Sequence, residues 1–381
     1  MKCPLLYTGA SIEVLDSRVR PCCHFDTQKN LNIATLDTVN SFEAAQLNDD
    51  LTTAKEQIVS ENITACKHCW AIENNTSKAS RRQWSKTFCN GTGGLEYLQV
   101  MLDTTCNLQC RSCGPKESSK WNANKPLLEK LYNITNEDQY KVKQLDNRSH
   151  WQKLKTFLLN TDLSNLKLVE VVGGEPFYSK NINEFFILLE SKARLNDCTL
   201  KLVTNTTIFP NKQIQDIFSK FKKVDISLSV DGYGKLNETI RPGVSWEQID
   251  SVVRQWHDLS NITKNIKLVN GVTVSIYNVN KIQEVVDYFE SLNIPVTFTY
   301  LFGPEHLCIE NLPLHFRNKI RVKMKDKMEQ KQFYSIIRSN RIPNKFTPEK
   351  FFAFTEVIDK DCGFSFQEVN KEIYDIIKQI S

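Results

Sequence analysis

The chain has no apolar run approaching the roughly 18 residues that a bilayer span requires, and its first stretch, "MKCPLLYTGASIEVLDSRVRPCC", lacks a basic segment followed by an apolar core. A cytoplasmic protein with no membrane partner is expected. It also lacks any block of about five or six like charges, the mark of a nucleic-acid tail. Its net charge of +5 is small beside 49 basic and 44 acidic side chains. Nucleic acid is therefore not an expected partner. The most basic stretch, "KIRVKMKDKMEQK", reads as the solvated face of a helix. Neither repeats nor low-complexity linkers interrupt the 381 residues, enough for two or three domains or for one α/β barrel with attachments.

Cysteine is present and unevenly placed. Of 12 in all, Cys3, Cys22, Cys23, Cys66, Cys69 and Cys89 lie in the first quarter, Cys106, Cys110 and Cys113 follow close together, and Cys198, Cys308 and Cys362 are scattered over the remainder. In a reducing compartment such thiols read as metal ligands in preference to disulfides. From residue 95 onward, the β-rich runs "LEYLQVMLD", "LKLVEVVGG", "TLKLVTNTT", "KVDISLSVDG", "IKLVNGVTVSIYN" and "PVTFTYLFG" alternate with helical patterns such as "NINEFFILLESKA" and "VNKIQEVVDYFESL". Strands buried on both faces and joined by crossover helices predict a parallel sheet. Six βα units predict an α/β fold, a partial (β/α)6 TIM-like barrel, since a full ring takes more strands. The C-terminal strand ends, where such folds place their chemistry, carry the cysteine trio, Gly-Gly-Glu-Pro, Thr-Asn-Thr-Thr, Ser-Val-Asp-Gly and Ile-Tyr-Asn. Residues 114–160 suggest several helices. The tail after residue 311 reads as mixed helices, with a strand at "FFAFTEVIDKD" and a loop at "CGFSF".

The stretch "LDTTCNLQCRSCGP" holds three thiols where a tetrahedral zinc site or paired disulfides call for an even number. A zinc knuckle, or a redox pair of Cys110 with Cys113, is the plain alternative, yet no His or fourth Cys lies close by in sequence. A cubane of four irons and four sulfides takes one ligand per iron, so a C-x3-C-x2-C loop leaves one iron open. This loop resembles the signature of the radical S-adenosylmethionine superfamily. The resemblance implies that Cys106, Cys110 and Cys113 hold a 4Fe–4S cluster whose open iron is chelated by the amino and carboxylate groups of S-adenosylmethionine. One-electron cleavage of the sulfonium then gives methionine and a 5′-deoxyadenosyl radical.

Downstream motifs extend the resemblance. Gly173, Gly174, Glu175 and Pro176 match the family's GGEP motif, which contacts the amino group of S-adenosylmethionine; glycines admit close backbone approach, and a carboxylate or carbonyl accepts from an ammonium. "LSVDG" followed by "TIRPG" resembles peptide-modifying members. It implies ribose contacts for Ser229 and Asp231 and a carboxylate partner in Arg241, against a plain Asp-Gly turn with a surface Arg. Asn205 stands where the family has "TNG", with Thr206 in place of the glycine. Asn278 ends the fifth of these strands, either meeting ribose or adenine or capping the strand.

At the front, Cys3, "RVRPCC" and "CKHC" offer a second four-thiol set that by spacing alone suits zinc and iron–sulfur equally. The pattern resembles the Twitch/SPASM type of auxiliary cluster domain, here preceding the barrel, and implies a second 4Fe–4S cluster on Cys3, Cys22, Cys66 and Cys69. The family's Gly-x4-Cys step aligns Ser17 with the glycine and selects Cys22 over Cys23. The following "WAIENNTSKASRRQW" resembles the "C-x-x-C … E … S-x-R" run of N-terminal Twitch-like radical proteins. Cys89 lies outside the pattern and reads as a small buried side chain. The implied organisation is an auxiliary cluster domain at 1–92, a partial barrel at 93–310 and a C-terminal helical extension at 311–381. The implied activity is hydrogen abstraction from a peptide or protein substrate, with an electron donor such as flavodoxin or ferredoxin. A small-molecule dehydrogenase is a variant of it. An epimerase returning a hydrogen atom, with Cys308 as donor, is a second enzyme reading, and a zinc-bearing interaction protein is the non-enzyme one.

Overall fold

The computed structural model describes residues 3–26, 33–59, 64–75, 79–91, 93–124, 147–338 and 348–380. Its strands are β1 Gly9–Ile12, β2 Val19–Arg20, β3 Tyr97–Met101, β4 Leu168–Val172, β5 Thr199–Thr204, β6 Lys223–Leu228, β7 Ile266–Val274 and β8 Val296–Tyr300. They form one 8-stranded sheet in the order β2-β1-β3-β4-β5-β6-β7-β8. The β1–β2 pair is antiparallel, whereas β1–β3, β3–β4, β4–β5 and β7–β8 are parallel. The chain is thus an α/β fold with a mostly parallel sheet, and each β-rich run read from residue 95 onward is a strand. Short β1 and β2 form an antiparallel pair at the front and extend the sheet at that edge.

Parallel neighbours need a crossover, and the helices Ile182–Lys192, Lys212–Phe218, Trp246–Ile262 and Ile282–Ser291 supply it. Three of these helices bury one stripe at i, i+3, i+4, i+7: Ile182, Phe185, Phe186 and Leu189; Ile249, Val252, Val253 and Trp256; Ile282, Val285, Val286 and Phe289. Burial of both strand faces, expected for all, fails from β5 to β8, where Lys267 of β7 and Thr299 of β8 are exposed. Lys223, Asp225 and Ser227 are half-buried while Val224, Ile226 and Leu228 are buried, and Val203 of β5 is 47% exposed. Helices therefore cover one face of these strands and leave the other polar.

The chain packs as two compact units: Met1–Thr104 with Val142–Leu202 and Pro210–Asp225, and Thr105–Lys141 with Val203–Phe209 and Ile226–Ser381. In the second unit two expectations are corrected. "FFAFTEVIDKD" lies within the helix Pro348–Cys362, because its buried Phe351, Phe354, Thr355 and Ile358 repeat at helical and not strand spacing. Residues 319–325, expected on a helix, form neither helix nor strand; the helix begins only at Lys327, where Asp326 caps it by accepting from Met328 N (2.8 Å) and Glu329 N (3.1 Å). Of the helices expected in 114–160, a 3-10 turn at Ser119–Asn124 and the helix Asn147–Asn160 are seen; 125–146 lies outside the described residues. No helix among the described residues is long and apolar enough to cross a membrane.

Candidate active site

The cysteine trio lies in the second unit on a loop zipped to the "TIRPG" segment. Gln109 N donates to Pro242 O (3.1 Å) and Arg111 N to Ile240 O (2.9 Å). Trp121 Nε1 donates to Cys110 O (3.1 Å), and Ser118 Oγ to Leu108 O (2.6 Å). Cys106 and Cys110 are buried and Cys113 is half-buried. Each buried sulfur faces nitrogen donors: Leu108 N and Asn205 Nδ2 at 3.5 Å from Cys106 Sγ, and Arg241 Nη1 at 3.6 Å from Cys110 Sγ. A hydrogen bond from Cys113 and then the Arg241 guanidinium pull the Cys110 thiol down, while the same bond and burial push Cys113 up. Donors aimed at sulfur suit thiolates, whose charge would otherwise be buried uncompensated, and in cluster proteins they tune the potential. Among the described residues no three His, Cys, Asp or Glu side chains converge on one metal ion.

The other residues singled out in this unit are drawn around the same loop. Asp231, 1% exposed, accepts from Arg241 Nε (2.7 Å) and from Thr273 N (2.7 Å), so both of its oxygens are taken by protein donors. Asn278 Nδ2 donates to Asp231 O and Thr273 O (each 2.9 Å) and its Oδ1 accepts from Ser275 N (2.9 Å), which is a strand cap. Ser229 is half-buried, with its N–H on Thr204 O (2.9 Å). Asn205 also donates to Asn107 Oδ1 (3.0 Å) and accepts from Thr207 Oγ1 (2.7 Å). Thr206 keeps the left-handed conformation, φ 65°, that a glycine would provide.

Gly173, Gly174, Glu175 and Pro176 belong to the first unit. Gly174 N donates to Asp103 O (3.3 Å), and buried Glu175 accepts from Phe177 N (3.2 Å), capping the 3-10 turn Pro176–Tyr178. Gly173 has φ 127°, and a Cβ there would stand 2.8 Å from Asp103 O and 2.9 Å from Met101 Cγ. Gly173→Ala should therefore cost about 1–3 kcal/mol from strain and displaced backbone. Denaturant unfolding checks it, and an unchanged midpoint at the parent slope would contradict the close fit.

The first unit also gathers the front cysteines. Cys3, Cys22, Cys66 and Cys69 line one cavity together with His24, Arg81 and Arg82. Burial pushes the Cys3 thiol up to about 11, the Cys66 thiol up to about 12, and Cys22 upward as well. Cys23 is not in that lining and instead accepts from Arg81 Nη2 (3.1 Å), a guanidinium that also pairs with Glu170 (3.1 Å). The "E … S-x-R" run is a fastening: Glu73 takes Ser80 Oγ and Arg82, whose guanidinium lies 4.3 Å over Trp70, tying the helix Lys67–Asn75 to Arg81–Ser85. Ser17 turns the chain with φ 53° where the resemblance expects glycine. Cys89 is buried among Leu5, Tyr97 and Leu168.

Sequence reasoning missed residues behind the trio. Arg111, between Cys110 and Cys113, is fully buried; its Nε donates to Thr239 O (2.7 Å), its ring-like face lies 5.0 Å from Tyr277, and it pairs with Asp359 of the helix Pro348–Cys362. Trp121 stacks on Phe354 of that helix at 5.7 Å.

No family model matches the chain. A stretch of 162 residues, 42% of the chain, is 21% identical to a GTP 3',8-cyclase of Pelotomaculum thermopropionicum. The match spans 43% of that cyclase, less than half its length. Similar solved structures include Streptococcus suis SuiB bound to S-adenosylmethionine, with TM-score 0.37 and 17% identity over 77% of this chain and 58% of that one. Another is anSMEcpe with bound AdoMet and the Cp18Cys peptide, at TM-score 0.35 and 15% identity over 69% of this chain and 58% of that one.

Proposed function

We propose that the chain is a radical S-adenosylmethionine enzyme. The observation that carries this is the set of N–H donors from Leu108, Asn205 and Arg241 trained on two sulfurs of a C-x3-C-x2-C loop. Similarity to the GTP 3',8-cyclase supports the same reading. When bound, a 4Fe–4S cluster with S-adenosylmethionine on its open iron supplies one-electron cleavage of the sulfonium. Cys106, Cys110 and Cys113 hold that cluster. Arg241, steered by Asp231, places a positive charge beside it for the methionine carboxylate. Gly173 to Pro176 receive the amino group and Ser229 the ribose. Asp231 and Asn278 serve this site by positioning, since their polar atoms already bond to protein.

The substrate we favour is a peptide or protein, oxidised by hydrogen abstraction. Cys3, Cys22, Cys66 and Cys69 would hold a second 4Fe–4S cluster, which would supply an acceptor for the substrate electron, within an organisation of 1–92, 93–310 and 311–381. Oxidation is favoured over hydrogen return because the Cys308 thiol donates to Leu301 O (3.2 Å) and Pro304 O (3.6 Å), which ties it to its own loop. The test is anaerobic incubation of the reconstituted protein with S-adenosylmethionine and dithionite. 5′-Deoxyadenosine should form and should be abolished by Cys106→Ser. Zinc without sulfide in the purified protein, or no product from the loaded wild type, would overturn the proposal.

A further inference from the structure

The second unit carries a preorganised row of positive charge. Along residues 319–325, which form neither helix nor strand, and into the next helix, Ile320, Val322 and Met324 are buried while Lys319, Arg321, Lys323, Lys325 and Lys327 are exposed. Alternation of this kind puts the basic side chains on one side of the chain, where Arg321 Nη1 also donates to Asn318 O (2.6 Å) and Ile320 O (2.9 Å) and Lys325 Nζ to Glu290 O (3.1 Å). The backbone is held by side chains in place of a neighbouring strand. Tyr334 Oη accepts from Val322 N and donates to Val322 O (both 3.0 Å). Gln283 accepts from Lys323 N (2.7 Å) and donates to Lys323 O (3.1 Å). Glu290 Oε1 accepts from Lys325 N (2.6 Å). With those groups occupied, the segment recognises a partner through its side chains and not by strand addition.

We propose that this rail docks the acidic redox protein that delivers the electron, an inference that rests on the enzyme reading above. Charge complementarity selects an anionic partner. Two anionic alternatives fit less well. Single-stranded nucleic acid wants aromatic platforms between the basic residues, and here the alternate positions are buried aliphatics. A substrate peptide held through the chemistry wants anchors it can bury, whereas the apolar side chains between the basic residues, Ile320, Val322 and Met324, are already buried in the protein. Rim charges of this kind raise the encounter rate and leave the complex short-lived, as a shuttling donor requires. Asp287 and Glu290 flank the rail and Asp326 stands within it, three acids beside five basic residues. Gln283, which clamps Lys323, stands at the start of the helix Ile282–Ser291 that follows β7. One electron leaves the reduced partner and one enters the cluster; no bond changes at the rail.

The test compares wild type with Arg321→Glu/Lys323→Glu/Lys325→Glu, using a purified flavodoxin of net negative charge as probe. Wild-type binding should weaken steeply with added salt, and the triple variant should bind at least about tenfold more weakly at low salt with little salt dependence. Flavodoxin-driven formation of 5′-deoxyadenosine should fall in parallel, while dithionite-driven formation stays the same in both proteins. Equal flavodoxin binding by the two proteins, or tighter binding of an oligothymidylate probe than of flavodoxin, overturns the rail. Absence of product with dithionite from both proteins overturns the enzyme reading instead, and the binding comparison still decides the rail.

Discussion

Asp359→Ala should lower the unfolding free energy by about 3–5 kcal/mol, because it strands a buried guanidinium. Arg111 is 0% exposed, enclosed by the Thr239 carbonyl, the Tyr277 ring and the Asp359 carboxylate. Removing only the anion leaves a full charge in a medium that cannot solvate it. The consequence reaches the cysteine loop, since Arg111 sits between Cys110 and Cys113 and its own N–H is paired with Ile240 O. Tyr277, whose hydroxyl meets Thr355 at 2.7 Å, and Trp121, stacked on Phe354, fasten the same helix to the same loop. Iron retention should therefore fall together with stability. Replacing both partners, Arg111→Met with Asp359→Leu, should recover most of the lost stability, because an apolar pair of similar volume needs no solvation. Anaerobic denaturant unfolding reads both variants. A single variant within about 1 kcal/mol of wild type would show that the pair is not what holds the loop.

Much of this architecture was legible in local periodicity, and the misreadings have physical causes. "KVDISL" alternates polar and apolar residues, so the half-exposed face of β6 was written in the sequence; the hydrophobic strands around it suggested burial on both sides. "IRVKMK" alternates in the same way, but its high charge favoured a helix reading, and nothing local announces that Tyr334 and Gln283 will clamp its backbone. "FFAFTEVI" is dense in aromatic and β-branched residues, which suits a strand by propensity, yet packing at helical spacing prevailed. At Ser17 and Thr206 the resemblance expects glycine and the chain nonetheless adopts positive φ, so turn geometry survives the loss of the residue that usually signals it. The partner of Arg111 stands 248 residues away in sequence. No spacing rule links two charges at that distance, and only the folded chain brings them together.

Cys22→Ser should reduce iron from about eight to about four atoms per chain, whereas Cys23→Ser should retain about eight. The two thiols are adjacent in sequence, and the antiparallel turn before them points them to different surroundings. Cys22 enters the cavity that also receives Cys3, Cys66 and Cys69, where burial disfavours a thiolate unless a metal takes the place of its proton. Cys23 is held outside that lining by Arg81, itself anchored on Glu170, which in turn accepts from Tyr97 (2.7 Å) and Gln99 (3.0 Å). This network gives the Cys23 sulfur a partner that a ligand role would displace. Iron and sulfide analysis after anaerobic reconstitution separates the cases, with Cys106→Ser as the reference for loss at the other site. Equal loss from Cys22→Ser and Cys23→Ser would mean that the Arg81 arrangement gives way when metal binds. Full retention in Cys22→Ser would remove the second cluster from this cavity and leave the buried thiols as packing.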